Sequence, residues 1–83
     1  MDLTSMKNIG AELNKKLRFI GINSAEELSR MGSKEAFVRL KAAYPKVCLV
    51  HLYSLQGAID NLDFNMLPPD TKAELKAFSD SVK

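Results

Sequence analysis

Along the first quarter of the chain, Ile9, Leu13, Leu17 and Ile20 recur at helical spacing and line one face of a helix from about residue 9 to residue 20. Asn8 is placed to cap its first free amides. Gly21 is placed to end it in the left-handed conformation, with Ile22 folding back on Leu17. Ser24 and Glu27 have the spacing of a capping box, in which hydroxyl and carboxylate each take a free amide at the start of a second helix. That short helix runs to about Met31. Gly32 and Ser33 then stop it and cap a third, whose Ala36, Phe37, Leu40 and Tyr44 form an apolar stripe until Pro45 forbids continuation.

From about Lys46 to Leu62 the pattern changes in kind. Val47, Cys48, Leu49, Val50, Leu52, Tyr53, Leu55, Ala58 and Ile59 cover most of the circumference, which predicts a central, buried fourth helix. A glycine inside a helix costs about 1 kcal/mol relative to alanine, so Gly57 points to a close helix crossing. Pro68-Pro69-Asp70 opens a fifth helix, and Leu75, Phe78 and Val82 give it the narrow inward face of a packing lid. No segment alternates between turn signals as a strand does. The expected fold is all-α: one compact five-helix domain over residues 1–83, with the fourth helix central.

With 83 residues, a single core is adequate without disulfide or metal staples. The lone Cys48 rules out an intramolecular disulfide framework and suits a reducing cytosol. Met1-Asp2 is followed by no apolar run, so neither a signal peptide nor a membrane span is expected, and the expected location is cytoplasmic. The net charge of +2 implies little by itself, but it is unevenly spread: residues 1–46 carry +4 and residues 47–83 carry −2.

Catalysis finds little support. Cys48 and His51 stand three apart on a helix that reads as buried, which makes them a structural core pair rather than a nucleophile and its base. One cysteine and one histidine cannot complete a zinc site, so no metal is expected. Asp60 and Asp63 end the fourth helix, and Asp63-Phe64-Asn65 reads as a turn. No phosphate loop or dinucleotide fingerprint occurs, so neither a cofactor nor a small-molecule substrate is expected.

The elbow from Asn8 to Leu28 resembles those of helix-hairpin-helix and SAM-like modules. An ordered set of residues extends the likeness: Ile9-Gly10, Leu17, Gly21-Ile22, Ser24, Glu27-Leu28, Gly32, Ala36, Leu40-Lys41, Leu52-Tyr53, Leu55, Gly57-Ala58 and Leu67-Pro68. Together they resemble the C-terminal domain of the TfoX/Sxy family of competence regulators over about residues 3–78. The resemblance implies an all-helical, helix-hairpin-helix-like module in a bacterial protein. In that family the domain often follows an N-terminal mixed domain and takes part in transcriptional control of DNA uptake. This chain starts at the helical module and so resembles a stand-alone member. The resemblance supplies no catalytic or ligand motif.

Two binding readings follow. In the first, free amides from Asn8 to Ala11 and a positive helix end receive a backbone phosphate, with Lys7, Asn8, Gly10, Lys15, Arg18 and Lys34 as the contact set. Three departures weaken it. A phosphate-gripping hairpin carries glycine where Asn8 stands and a cation where Glu12 stands, and a full helix precedes it, for which six residues hardly suffice. The favoured reading is therefore a non-catalytic regulatory module that binds a protein partner or itself. Its expected surface is Tyr44, Tyr53, Phe64 and Met66, because aromatics and methionine outside a core are enriched at interfaces.

Overall fold

The computed structural model describes residues 1–82 and contains five α-helices, two short 3-10 turns and no strand among them. The helices are α1 (Ala11–Phe19), α2 (Ala25–Met31), α3 (Ser33–Ala43), α4 (Leu49–Asp60) and α5 (Pro69–Ser81). The 3-10 turns span Leu3–Ser5 and Phe64–Met66. Leu3, Leu17, Ile22, Leu28, Phe37, Leu40, Leu52, Leu55 and Leu75 are fully buried and form one core to which every helix contributes.

The elbow between α1 and α2 forms as its residues dictate. Gly21 takes φ +92°, the Ile22 amide donates to the Leu17 carbonyl at 2.9 Å, and both side chains are fully buried. This is the reverse turn that satisfies the last free carbonyls of a helix while closing an apolar contact over it. Ser24 then caps α2, its hydroxyl accepting the Glu27 amide at 3.1 Å. The reciprocal half of the expected box does not form: the Glu27 carboxylate takes the Ser24 hydroxyl at 3.5 Å.

α4 packs against α2, α3, α5 and the Phe64–Met66 turn, which makes it the central element. It is shorter and less enclosed than its pattern suggests. The helix begins at Leu49 instead of Lys46, because the stretch after Pro45 is held by the Lys41 ammonium, which donates to the Pro45 and Val47 carbonyls. Cys48 and Val50 lie on the surface. The expected Cys48–His51 core pair is a surface cap: the Cys48 amide donates to His51 Nδ1 at 3.1 Å, which satisfies a free group at the helix start.

Two other expected caps are also displaced. Gly32 serves both the end of α2 and the start of α3 with φ +88°, while Ser33 lies one position inside α3. The Ser33 hydroxyl is buried and donates to Gln56 Oε1 on α4 at 2.5 Å, so it ties two helices together instead of capping one. Gly10, with no side chain to offer, stands at the cap of α1, and Asn8 is used elsewhere.

Candidate functional site

Asn8 adopts φ 71°, in the left-handed region that asparagine tolerates better than most residues. This backbone turn aims the side chain away from α1 and toward the end of α4. There the amide nitrogen donates to the Leu62 carbonyl at 2.9 Å and the Ser54 carbonyl at 3.3 Å, and the side-chain oxygen accepts the Phe64 amide at 3.1 Å. The chain reverses over Gly57 after α4, with Asn61 left-handed and the Leu62 amide bonded to the Gly57 carbonyl at 2.8 Å. Gly57 therefore serves a close approach of side chain and reversed backbone. The helix crossing expected at that position is not its purpose.

This junction decides what the expected phosphate site contains. Gly10 is open, with nothing within 4 Å of where a side chain would begin, and Lys7 is exposed beside it. The Asn8 side chain is committed to the fold, and Glu12 stands in the first turn of α1. Arg18 lies in the last turn of the same helix, bonded to Asn14 and paired with Asp2 at 3.2 Å. Lys34 belongs to α3, where it pairs with Glu74 and lies over the Phe78 ring. Lys15 is exposed in the middle of α1. The six residues thus spread over two helices and a loop, and three of them already have intramolecular partners.

The four expected interface residues do not form one patch either. Tyr44 ends α3 ahead of α4, whereas Phe64 and Met66 follow α4, a helix of about 18 Å at 1.5 Å per residue. Phe64 and Met66 are 40% and 67% exposed and, with Leu62, form an apolar ridge beyond the Asn8 junction. Tyr53 lies half-buried between α4 and α5, its hydroxyl 3.4 Å from the Lys72 carbonyl and its ring beneath the Lys72 ammonium.

Tyr44 instead joins residues outside the expected surface. Phe19, 72% exposed, meets its ring edge-on with centroids 5.7 Å apart, and the Lys16 ammonium lies 5.4 Å from the same centroid. Lys16, Tyr44, Pro45, Lys46, Val47 and His51 line a depression of about 440 Å³ at this corner. Partial burial and the neighbouring Lys16 charge hold the His51 imidazole below the usual histidine pKa. Phe19 sits off the Ile9–Leu13–Leu17 stripe and among Lys15, Lys16 and Arg18, so the sequence does carry a signal for it: a large aromatic on a basic, polar face.

Among the described residues, no group of three or more His, Cys, Asp or Glu side chains could hold a metal ion. No helix among them is long and apolar enough to cross a membrane.

Two crystal structures from Listeria monocytogenes are close in both sequence and shape. One, of an uncharacterized protein in a triclinic form, is 38% identical with a TM-score of 0.95, covering 98% of this chain and 92% of that one. The other, of a protein of unknown function in a tetragonal form, is likewise 38% identical with a TM-score of 0.95, covering 99% of this chain and 100% of that one. Among curated proteins, none matches the chain. The model of the TfoX C-terminal domain matches residues 1–79, nearly the whole length, on a fold whose elbow, central helix and all-helical core are those described above. The chain belongs to the TfoX C-terminal domain family.

Proposed function

We propose that the protein is a non-catalytic regulatory module that acts in the cytoplasm by binding another protein. The observation that carries this reading is the use made of Asn8. The residue standing where a DNA-gripping hairpin needs a glycine is turned inward: two of its hydrogen bonds, with Leu62 and Phe64, hold the segment that presents Leu62, Phe64 and Met66, and the third ties that segment to Ser54 of α4. The loop that would have to approach a phosphate is thus employed in shaping an exposed apolar ridge. Apolar side chains held in place on a rigid segment lose little freedom on binding, which favours their use in protein recognition. Membership of the TfoX C-terminal family supports a regulatory setting by analogy of family, without naming a partner.

Duplex binding, the competing reading, retains Lys7, Lys15 and the open backbone at Gly10. Its remaining cations, Arg18 and Lys34, would have to leave Asp2 and Glu74. A titration of labelled duplex separates the two. A protein neutralising some six phosphates loses on the order of a thousandfold in affinity between about 50 and 200 mM salt. No binding is expected at the lower salt, whereas the immobilised chain should retain one bacterial protein reproducibly and lose it in a Phe64→Ser, Met66→Ser double variant. Salt-sensitive duplex binding, or a strict monomer that retains nothing, would overturn the proposal.

A further inference from the structure

The corner built by the end of α1 and the α3–α4 connection has a charge pattern of its own. No Asp or Glu occurs from Leu13 to Ala25 or from Ala36 to Ile59, and these two segments supply Lys15, Lys16, Phe19, Tyr44, Lys46 and His51. The acids adjoining them in sequence are largely occupied: Glu26 pairs with the N-terminal ammonium, Glu35 with Arg39, and Asp60 accepts from the Gln56 amide, while Glu12 sits one turn before Lys15 and Lys16. Lys15 and Lys46 are exposed and form no ion pair among the described residues. Lys16 contacts only a ring face at this corner, an interaction weaker than a desolvated carboxylate pair.

Alongside the cations stands a misplaced apolar group. Phe19 is 72% exposed, and the floor beside it is a depression of about 440 Å³ lined by Tyr44, Pro45 and Val47 among the lysines. An exposed phenylalanine beside a largely apolar depression gains by being covered, and the positive charge around it selects what covers it. Single-stranded nucleic acid fits less well. It needs a succession of free ring faces, whereas Lys16 covers a face of Tyr44 and Phe19 meets that ring edge-on, which leaves Phe19 as the one open platform.

We infer that this corner is the docking site for an acidic segment of a partner protein, whose carboxylates meet Lys15, Lys16 and Lys46 and whose apolar side chain settles against Phe19 and Tyr44. The inference deepens the interaction-module reading and rests on it, but it concerns a surface at the other end of α4 from Phe64 and Met66. An acidic peptide also supplies the charge this half of the molecule lacks, since residues 1–46 carry +4. Association should accordingly be fast, weak in salt and sensitive to charge reversal.

The test uses the nitrogen-15-labelled full chain and a short synthetic peptide of aspartates and glutamates around one phenylalanine. Two control probes accompany it: the same peptide with serine for phenylalanine, and an oligo-dT strand of equal charge. Amide shifts are expected at Lys15, Lys16, Phe19, Tyr44, Lys46 and His51, fading as salt is raised. The serine peptide and the Phe19→Ser variant should each bind about tenfold more weakly, and a Lys16→Glu, Lys46→Glu variant with an unchanged amide spectrum elsewhere should not bind. A single Lys46→Glu change, at an exposed position, keeps the test open if the double variant does not fold. No shift at this corner, or a larger response to oligo-dT than to the peptide, overturns the inference. Shifts confined to Leu62, Phe64 and Met66 also overturn it while leaving the interaction module standing, so the two failures are distinguishable.

Discussion

The amide nitrogen of Asn8 occupies the space that a side chain at Gly57 would need. A Cβ at position 57 would lie 2.5 Å from Asn8 Nδ2 and 2.5 Å from the Leu62 carbonyl oxygen. Forty-nine positions apart in sequence, these two residues specify each other. The glycine makes room, and the asparagine fills the room with hydrogen bonds to the chain that reverses over it. The expensive helix-interior glycine and the unexpected left-handed residue are two halves of one junction.

Replacing Gly57 tests the steric half. In an exposed helix interior Gly→Ala stabilises by about 1 kcal/mol. At this position Gly57→Ala should destabilise by about 1 to 3 kcal/mol, because backbone at Leu62 must shift and the Asn8 bonds lengthen. Urea denaturation would read this as a lower midpoint with an unchanged slope. A neutral or stabilising result would mean that the junction yields freely.

Variants of Asn8 separate backbone strain from bonding. Asn8→Ala loses all three side-chain bonds and keeps φ 71°, so it should cost about 2 to 3 kcal/mol. Asn8→Gly loses the same bonds and relieves the strain, and should recover about 1 kcal/mol of that loss. Asn8→Asp can still accept the Phe64 amide but faces the Ser54 and Leu62 carbonyls without a donor, so its midpoint should fall further as the carboxylate ionises. Thermal melts of the three proteins at neutral and mildly acid pH provide the comparison.

Ser24 and Glu27 should be unequal in importance. Ser24→Ala removes the acceptor of the Glu27 amide and should cost about 1 kcal/mol, or roughly 4 to 8 °C in Tm for a domain of this size. Glu27→Gln should shift Tm by much less, because its carboxylate holds the Ser24 hydroxyl loosely at 3.5 Å and no backbone amide. Equal losses would indicate a full reciprocal capping box in solution.

Acidification should weaken the start of α4. The folded pKa of His51 lies below its ordinary value, so as pH falls through about 6.5 the unfolded chain takes up the proton first, and stability decreases until the folded form is protonated as well. Protonation also removes the lone pair on Nδ1 that accepts the Cys48 amide. Chemical denaturation between about pH 7.5 and 5.5 should show the loss, and His51→Gln should flatten it in that window. A pH-independent difference between the two proteins would refute this assignment.

What the sequence determined by itself is local and periodic. Ile9, Leu13 and Leu17, the Gly21–Ile22 stop and the Ser24 cap act within a turn or two of one another, so helical spacing and left-handed glycine geometry were sufficient to read α1, the elbow and the start of α2. The central rank of α4 was legible for a similar reason, since its apolar residues exceed what one face requires. The tertiary structure decided wherever a polar side chain had a choice of partner. Asn8, Ser33 and His51 each stand near a helix start, where a local cap competes with a distant acceptor or donor; Asn8 and Ser33 took the distant one, and His51 took the local cap in place of the core. The binding surfaces followed the same rule. Tyr44, Tyr53, Phe64 and Met66 look alike as isolated aromatic or flexible apolar residues, yet packing sent them to three different places and brought Phe19, Lys16 and His51 to one. Hydrogen-bond partners and surface patches depend on which segments meet across the fold, and one-dimensional periodicity carries no record of those meetings.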